Sequence, residues 1–417
     1  MRKSLSSLWL KSFKRISKVQ QRQGSALVRS LLGSPAPVKR KASTKKAAPA
    51  QNVLRAVGLV TTPTASRAAV ASRPASRPRP GELGPPRRTV AKPAEGQGQW
   101  LRSFHLEPAD GMTPPRRMDY WLFVPTRPLA EQHKPMPLVV MLHGCTQTAA
   151  DFAHGTRMNA LAQRKGFAVL YPQQLAAVDN NRCWHWHLRA TQQGGGEVRW
   201  VVGAIHKVMR AMPIDRSRIY VAGLSAGAAL AQIIGLRHPE LVAAVGLHSA
   251  PVFGTADSRM GAFSAMQHGS SHSLVQAVNE ITLSPEFPGL PAILLQGDAD
   301  KVVRSVNLMQ LAQQFRLVNH IDDVVDPPVV QEHPERTGGR SPRKAYQVMD
   351  YAKGRSPTVR VCKIAGLEHA WSGGDERFRF NAAVGPDASL LMWNFFALHR
   401  RASAPRTAGL KTIRNAS

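Results

Sequence analysis

Five residues, Gly223-Leu224-Ser225-Ala226-Gly227, raise the first chemical question in the sequence. A serine set between two glycines is either a nucleophile on a tight turn or a hydroxyl that caps a helix N-terminus. A serine hydroxyl attacks poorly at neutral pH, so it needs a histidine to take its proton and a carboxylate to fix that histidine's tautomer. Both residue types follow in the order serine, acid, histidine: QGDADKVV carries Asp298 and Asp300, and GLEHAWSGG carries His369. Asp300 is the expected acid, because the turn from Gly297 to Ala299 must be completed before a carboxylate can reach back to an imidazole. Asp298 is then the turn-stabilising residue. The charge that develops in acyl transfer also needs donors. The backbone N–H of Ala226, directly after the serine, is one candidate, and that of Cys145, in the loop LHGCTQT (142–148), is the other. His143 of that loop reads as a structural buttress.

These residues act together only if the chain carries them to one edge of a common scaffold. After Trp100, short apolar runs rich in β-branched residues predict strands over 118–124, 137–144, 167–172, 218–223, 243–249, 291–298 and 358–364. Helical periodicity lies between them, over 151–165, 197–212, 225–237, 301–318 and 387–398. Strand and helix in alternation imply an α/β fold, a mostly parallel sheet with helices on both faces. In that frame RIYVAG is a strand ending at Gly223, and a helix starts just after Ser225. Gly223 and Gly227 keep the crossing of strand and helix narrow, a requirement that a simple helix cap would not impose. Asp300 and His369 likewise follow predicted strand ends, the edge where ligands bind in open α/β sheets. The segments 253–276 and 320–350 read as long loops over that edge, either substrate-selecting lids or variable insertions.

The formal charge of +30 is unevenly spread. Residues 1 to 100 hold 21 of the 56 Lys and Arg but only Glu82 and Glu95 of the 26 acids. Leu5, Trp9, Phe13, Ile16 and Val19 recur at helical spacing among lysines and arginines, so residues 1–34 are expected to form a basic amphipathic helix. Such a helix either lies on an anionic membrane or polymer granule or docks on the protein's own body. Residues 35–98, rich in Pro, Ala, Ser and basic side chains, are expected to be a disordered linker, and 401–417 a flexible basic tail. The absence of aromatic residues from the linker argues against nucleic acid as its partner. The catalytic domain is therefore expected over 99–400. No run reaches the length of a membrane helix, and charged residues interrupt the N-terminus every few positions, unlike an ordinary secretory signal. The expected location is thus the cytoplasm, with polymer-granule association, and the extracellular space is the alternative. Three cysteines, Cys145, Cys183 and Cys362, allow one bridge at most and lack zinc-site spacing.

Five stretches together resemble the polyhydroxybutyrate depolymerase family of esterases, relatives of feruloyl and acetylxylan esterases within the α/β-hydrolases. They are 137–174 (PLVVMLHGCTQT onward), CWHWH (183–187), IDRSRIYVAGLSAGAA (214–229), QGDADKVV (296–303) and GLEHAWSGG (366–374). The resemblance implies a serine ester hydrolase acting through an acyl-enzyme, with Ser225, Asp300 and His369 as triad and no metal or organic cofactor. The implied substrate is a short-chain hydroxyalkanoate ester, polymeric or oligomeric; the alternatives are aryl or acetyl esters on polysaccharide, or an idle hydrolase domain on a surface-binding protein. Trp184, Trp186 and Trp371 are candidate substrate walls; for Trp184 and Trp186 plain core packing is the other reading. The family's Cys-Trp-Asn-Trp appears here with His185 in place of the asparagine. His185 and His187 lack further ligands nearby, which argues against a metal site. Cys145 and Cys183 are candidates for a bridge near the site unless the compartment keeps them reduced.

Overall fold

The predicted strand runs all form strands of one sheet. The computed structural model describes residues 98–109, 115–254, 256–282, 287–322, 324–339, 342–354 and 356–401. The basic helix expected over 1–34, the linker over 35–98 and the tail over 401–417 lie outside the described residues, apart from Gly98 and Arg401. The strands are β1 (Gln99–Glu107), β2 (Arg116–Val124), β3 (Met136–Leu142), β4 (Ala168–Gln173), β5 (Ile214–Leu224), β6 (Ala244–His248), β7 (Ala292–Gly297), β8 (Val329–His333), β9 (Tyr346–Ala352) and β10 (Pro357–Ile364). They pair in the order β1-β2-β4-β3-β5-β6-β7-β10-β9-β8. From β4 to β10 every neighbouring pair is parallel. The strands at the two edges are antiparallel.

Alternation along β3 shows why the sheet must be covered twice. Leu138, Val140 and Leu142 belong to one apolar layer, with helices Glu197–Ala211, Ala226–Arg237 and Val306–Val318. Val139 and Met141 face the other, with helices Ala149–Thr156, Met158–Lys165 and Ala388–Phe396. All seven residues of β3 are buried, as a central parallel strand requires. Among the described residues no helix is long and apolar enough to cross a membrane.

Three expectations are corrected. The helix expected over 151–165 is two helices, broken at Arg157, which adopts a left-handed backbone (φ 55°). The carbonyls that would continue the first helix are claimed from elsewhere: Asp375 N–H donates to Gly155 O (2.7 Å) and Ser389 Oγ donates to Thr156 O (2.7 Å). The segment 320–350 is not simply a loop over the active edge, because β8 and β9 within it extend the sheet past β10. β8 is almost wholly exposed and so carries no apolar alternation that the sequence could display. The segment 253–276 likewise contains helix Arg259–His268 and the start of helix Leu274–Thr282.

Candidate active site

Ser225 sits between β5 and helix Ala226–Arg237 with φ 57° and ψ −121°, a conformation that costs an L-residue about 1–3 kcal/mol. The neighbouring backbone holds it there. Ser225 N–H donates to His248 O (2.9 Å), and Ser225 O accepts from Ala229 N–H (2.9 Å). A Cβ on Gly223 would lie 2.5 Å from the carbonyl carbon of Gly227, and one on Gly227 would overlap the carbonyl oxygens of Leu142 and His143. Both glycines are therefore demanded by close backbone approach. The Ser225 side chain makes no capping hydrogen bond, so the helix-cap reading finds no support.

At the same sheet edge, the loop after β7 carries Asp300 and the loop after β10 carries His369. Their Nδ1···Oδ2 separation is 2.8 Å. The other oxygen of Asp300 accepts from Val302 N–H and Val303 N–H, each at 2.9 Å, so both carboxylate oxygens act as acceptors. That leaves the ring proton of His369 on Nδ1 and its Nε2 bare. Asp298 faces away into its turn and accepts from Gly366 N–H at 2.7 Å. The two loops are also joined by backbone bonds, Asp298 N–H to Ile364 O (3.0 Å) and Ala299 N–H to Leu367 O (3.2 Å). Among the described residues, Ser225 Oγ and His369 Nε2 form no hydrogen bond with each other; such contacts are commonly long in unliganded sites and tighten with substrate.

Sequence reasoning did not single out His248, at the end of β6. It is wholly buried, stacks on Trp371 (ring centroids 5.3 Å) and accepts Ser372 N–H at Nε2 (3.3 Å). Its backbone carbonyl holds the Ser225 turn, so one residue braces both the serine turn and the segment following His369. Burial, and then the nearby His369, push its pKa down to about 3, which keeps it neutral. The run AAVGLHS offered the residue type; its position beside the site depends on strand order.

The loop after β3 is fixed by several bonds. Gly144 N–H donates to Gln147 Oε1 (2.9 Å), and His143 is a buried spacer between Gly144 O and Gln174 N–H, its pKa lowered to about 4 by burial. Cys145 is bridged to Cys183, 38 residues on. Cys145, Ser225 and Ala226 line one pocket that opens to solvent. Among the described residues neither Cys145 N–H nor Ala226 N–H donates a hydrogen bond, as expected of donors held for a ligand.

The same pocket is also lined by CWHWH and by Arg259, Ala262 and Met266 of the helix Arg259–His268. Trp184 and Trp186 both reach the pocket. The indole N–H of Trp184 is already donated to His143 O (2.9 Å), so it does not meet a substrate oxygen. Trp371 is corrected: it does not line the pocket and is fully buried, packed edge-on to Phe152 and donating to Ser389 Oγ (3.2 Å). His185 lies between Glu197 (3.1 Å) and Asp179 (3.4 Å), and the bond to Glu197 chiefly raises its pKa.

A mostly parallel sheet of this order, with a strained serine turn after its central strand and an Asp–His pair on the next strand ends, defines an α/β-hydrolase. Within that class, residues 118–333 match the family described as Esterase PHB depolymerase, and the chain belongs to that family. The matched segment holds Ser225 and Asp300; His369 lies beyond it. The chain is 29% identical over 238 residues to a poly(3-hydroxyalkanoate) depolymerase C from Paucimonas lemoignei, covering 56% of this chain and 54% of that one. It is 25% identical over 189 residues to a probable acetylxylan esterase A from Aspergillus clavatus, covering 43% of this chain and 60% of the relative. The chain thus spans little more than half the length of these two relatives. The fold resembles that of an acetyl xylan esterase from Aspergillus awamori, with a TM-score of 0.52 at 18% identity, over 64% of this chain and 94% of that one.

Proposed function

We propose that the chain is a serine ester hydrolase with Ser225 as nucleophile, His369 as general base and acid, and Asp300 as the residue that orients His369. The observation that carries this reading is the 2.8 Å Asp300–His369 pair at the sheet edge where the Ser225 turn opens into a pocket. As Ser225 Oγ bonds to the ester carbonyl carbon, its proton passes to the bare Nε2 of His369. The carbonyl oxygen gains the negative charge and meets the N–H groups of Cys145 and Ala226. Collapse breaks the bond to the alcohol oxygen, which leaves with the proton from Nε2. Water then repeats the sequence on the acyl-enzyme and releases the acid.

The proposed substrates are esters of short hydroxyalkanoates, as polymer or oligomer. Family membership and the apolar walls formed by Trp186, Ala262 and Met266 support this choice. The buried Cys145–Cys183 bridge favours an oxidising compartment over the cytoplasm. The test is a hydrolysis panel of 3-hydroxybutyrate oligomers, amorphous polymer, and acetyl and feruloyl esters, run beside Ser225→Ala. Hydroxybutyrate esters should be cleaved fastest, and the variant should lose activity by about four orders of magnitude or more. An active Ser225→Ala variant would sink the mechanism, and preference for acetyl or feruloyl esters would sink the substrate class.

A further inference from the structure

His187 stands apart from the other polar groups in the pocket. Oδ1 of Asp179 accepts from Asn181 N–H (2.9 Å) and Cys183 N–H (3.1 Å), while Oδ2 faces His185 and Arg259. His185 has Asp179 and Glu197. His187 lines the same pocket at only 7% exposure, edge-on to Trp186 and to His185, and among the described residues its ring makes no hydrogen bond. The ring nitrogens of His187 stay open to solvent in the pocket, so a ligand oxygen can take the place of water on them, whereas an apolar group that covers them leaves them unpaired.

We infer that His187 is a specificity-determining residue whose imidazole binds an oxygen carried on the acyl chain of the ester, either a hydroxyl or the next ester oxygen of an oligomer. Cys145 and Ala226, the proposed oxyanion donors, line the pocket with His187, which places the ester carbonyl in it, with the acyl half of the substrate assigned to the His187 end. The disulfide, Trp186, Ala262 and Met266 in the remaining walls suit a short apolar chain, and the polar Asn181 and Arg259 also line the pocket, Arg259 with its guanidinium 3.7 Å from Asp179. Burial, and after it the positive charges of His185 and Arg259, lower the pKa of His187 to about 4. At neutral pH the ring thus has one N–H donor and one bare nitrogen, a pair able to serve a hydroxyl in both directions. A plain alkyl chain would cover the ring and leave it unpaired, and an acetyl group is too short to carry the oxygen. The inference rests on the esterase reading and narrows its substrate to oxygen-bearing acyl groups.

The test compares 4-nitrophenyl 3-hydroxybutyrate with 4-nitrophenyl butyrate in the full chain. The ratio of their kcat/KM values should favour the hydroxy ester in the wild type and fall about tenfold or more in His187→Phe. His187→Gln, which keeps a donor and an acceptor, should retain more of the ratio. Product inhibition of the wild type gives a check that needs no variant: 3-hydroxybutyrate should inhibit at lower concentration than butyrate. Equal inhibition by the two acids, or a ratio unchanged in His187→Phe, overturns the inference and leaves the esterase reading standing. A wild type inert toward both esters overturns the two together.

Discussion

Asp300→Asn isolates the role of the carboxylate without changing its shape. In the folded protein Oδ1 accepts two backbone N–H groups at 2.9 Å and Oδ2 accepts His369 Nδ1–H at 2.8 Å. An asparagine must keep its carbonyl toward Val302 and Val303, because the flipped amide would set NH2 against two backbone donors and lose two bonds, each worth about 1–3 kcal/mol. The NH2 group then faces His369 Nδ1, which must become the acceptor. The ring proton moves to Nε2, the atom that should receive the serine proton. Loss of the productive tautomer in this way lowers kcat by about a thousandfold to ten-thousandfold, or roughly 4–5.5 kcal/mol of barrier. KM should change much less, since Asp300 does not line the pocket. Steady-state hydrolysis of 4-nitrophenyl 3-hydroxybutyrate reads both parameters, and Asp298→Asn, which touches only the Gly366 turn, is the control. A kcat for Asp300→Asn within tenfold of the wild type would refute the triad assignment.

Stability should fall as the solution is acidified below about pH 6.5. His143 and His248 are fully buried with folded-state pKa values near 4 and 3, below the usual 6.5, so between pH 6.5 and about 4 the unfolded chain binds more protons than the folded one. The pair should cost about 2 kcal/mol from pH 6 to pH 5, read by urea unfolding at each pH; a flat profile would show that these rings titrate normally. We propose that the basic amphipathic stretch within residues 1–98 tethers the enzyme to granules or anionic membrane, the alternative being that it docks on the protein's own body. Removal of residues 1–98 should abolish binding to polymer granules while 4-nitrophenyl ester turnover stays within about twofold; undiminished granule binding rules the tether out.

How much of the site could be read from the sequence depends on how local its geometry is. The Ser225 turn is set by steric demands within five residues, so Gly223 and Gly227 announced it. Asp300 and His369 are 69 residues apart, yet each follows a strand of the sheet, and a parallel sheet delivers successive strand ends to one edge. His248 and Trp371 were not legible in this way. What each does depends on side-chain packing between β6 and the segment after β10, and no spacing rule states that. The core accordingly claimed Trp371, which was expected to be a substrate wall.

Part of the pocket wall was hidden for a different reason. Trp184 and Trp186 of CWHWH were candidate walls in the sequence, but Arg259, Ala262 and Met266 come from a helix inside a segment that read as a loop. The Cys145–Cys183 bridge joins CWHWH directly to the loop bearing one proposed oxyanion donor. The proposed acyl pocket and the proposed oxyanion donor therefore share a covalent link, and a shift of His187 and Trp186 to suit a different acyl chain is expected to displace Cys145 N–H as well. The pocket should for that reason change specificity through the side chains at 185–187 and along helix Arg259–His268 rather than through movement of the CWHWH backbone.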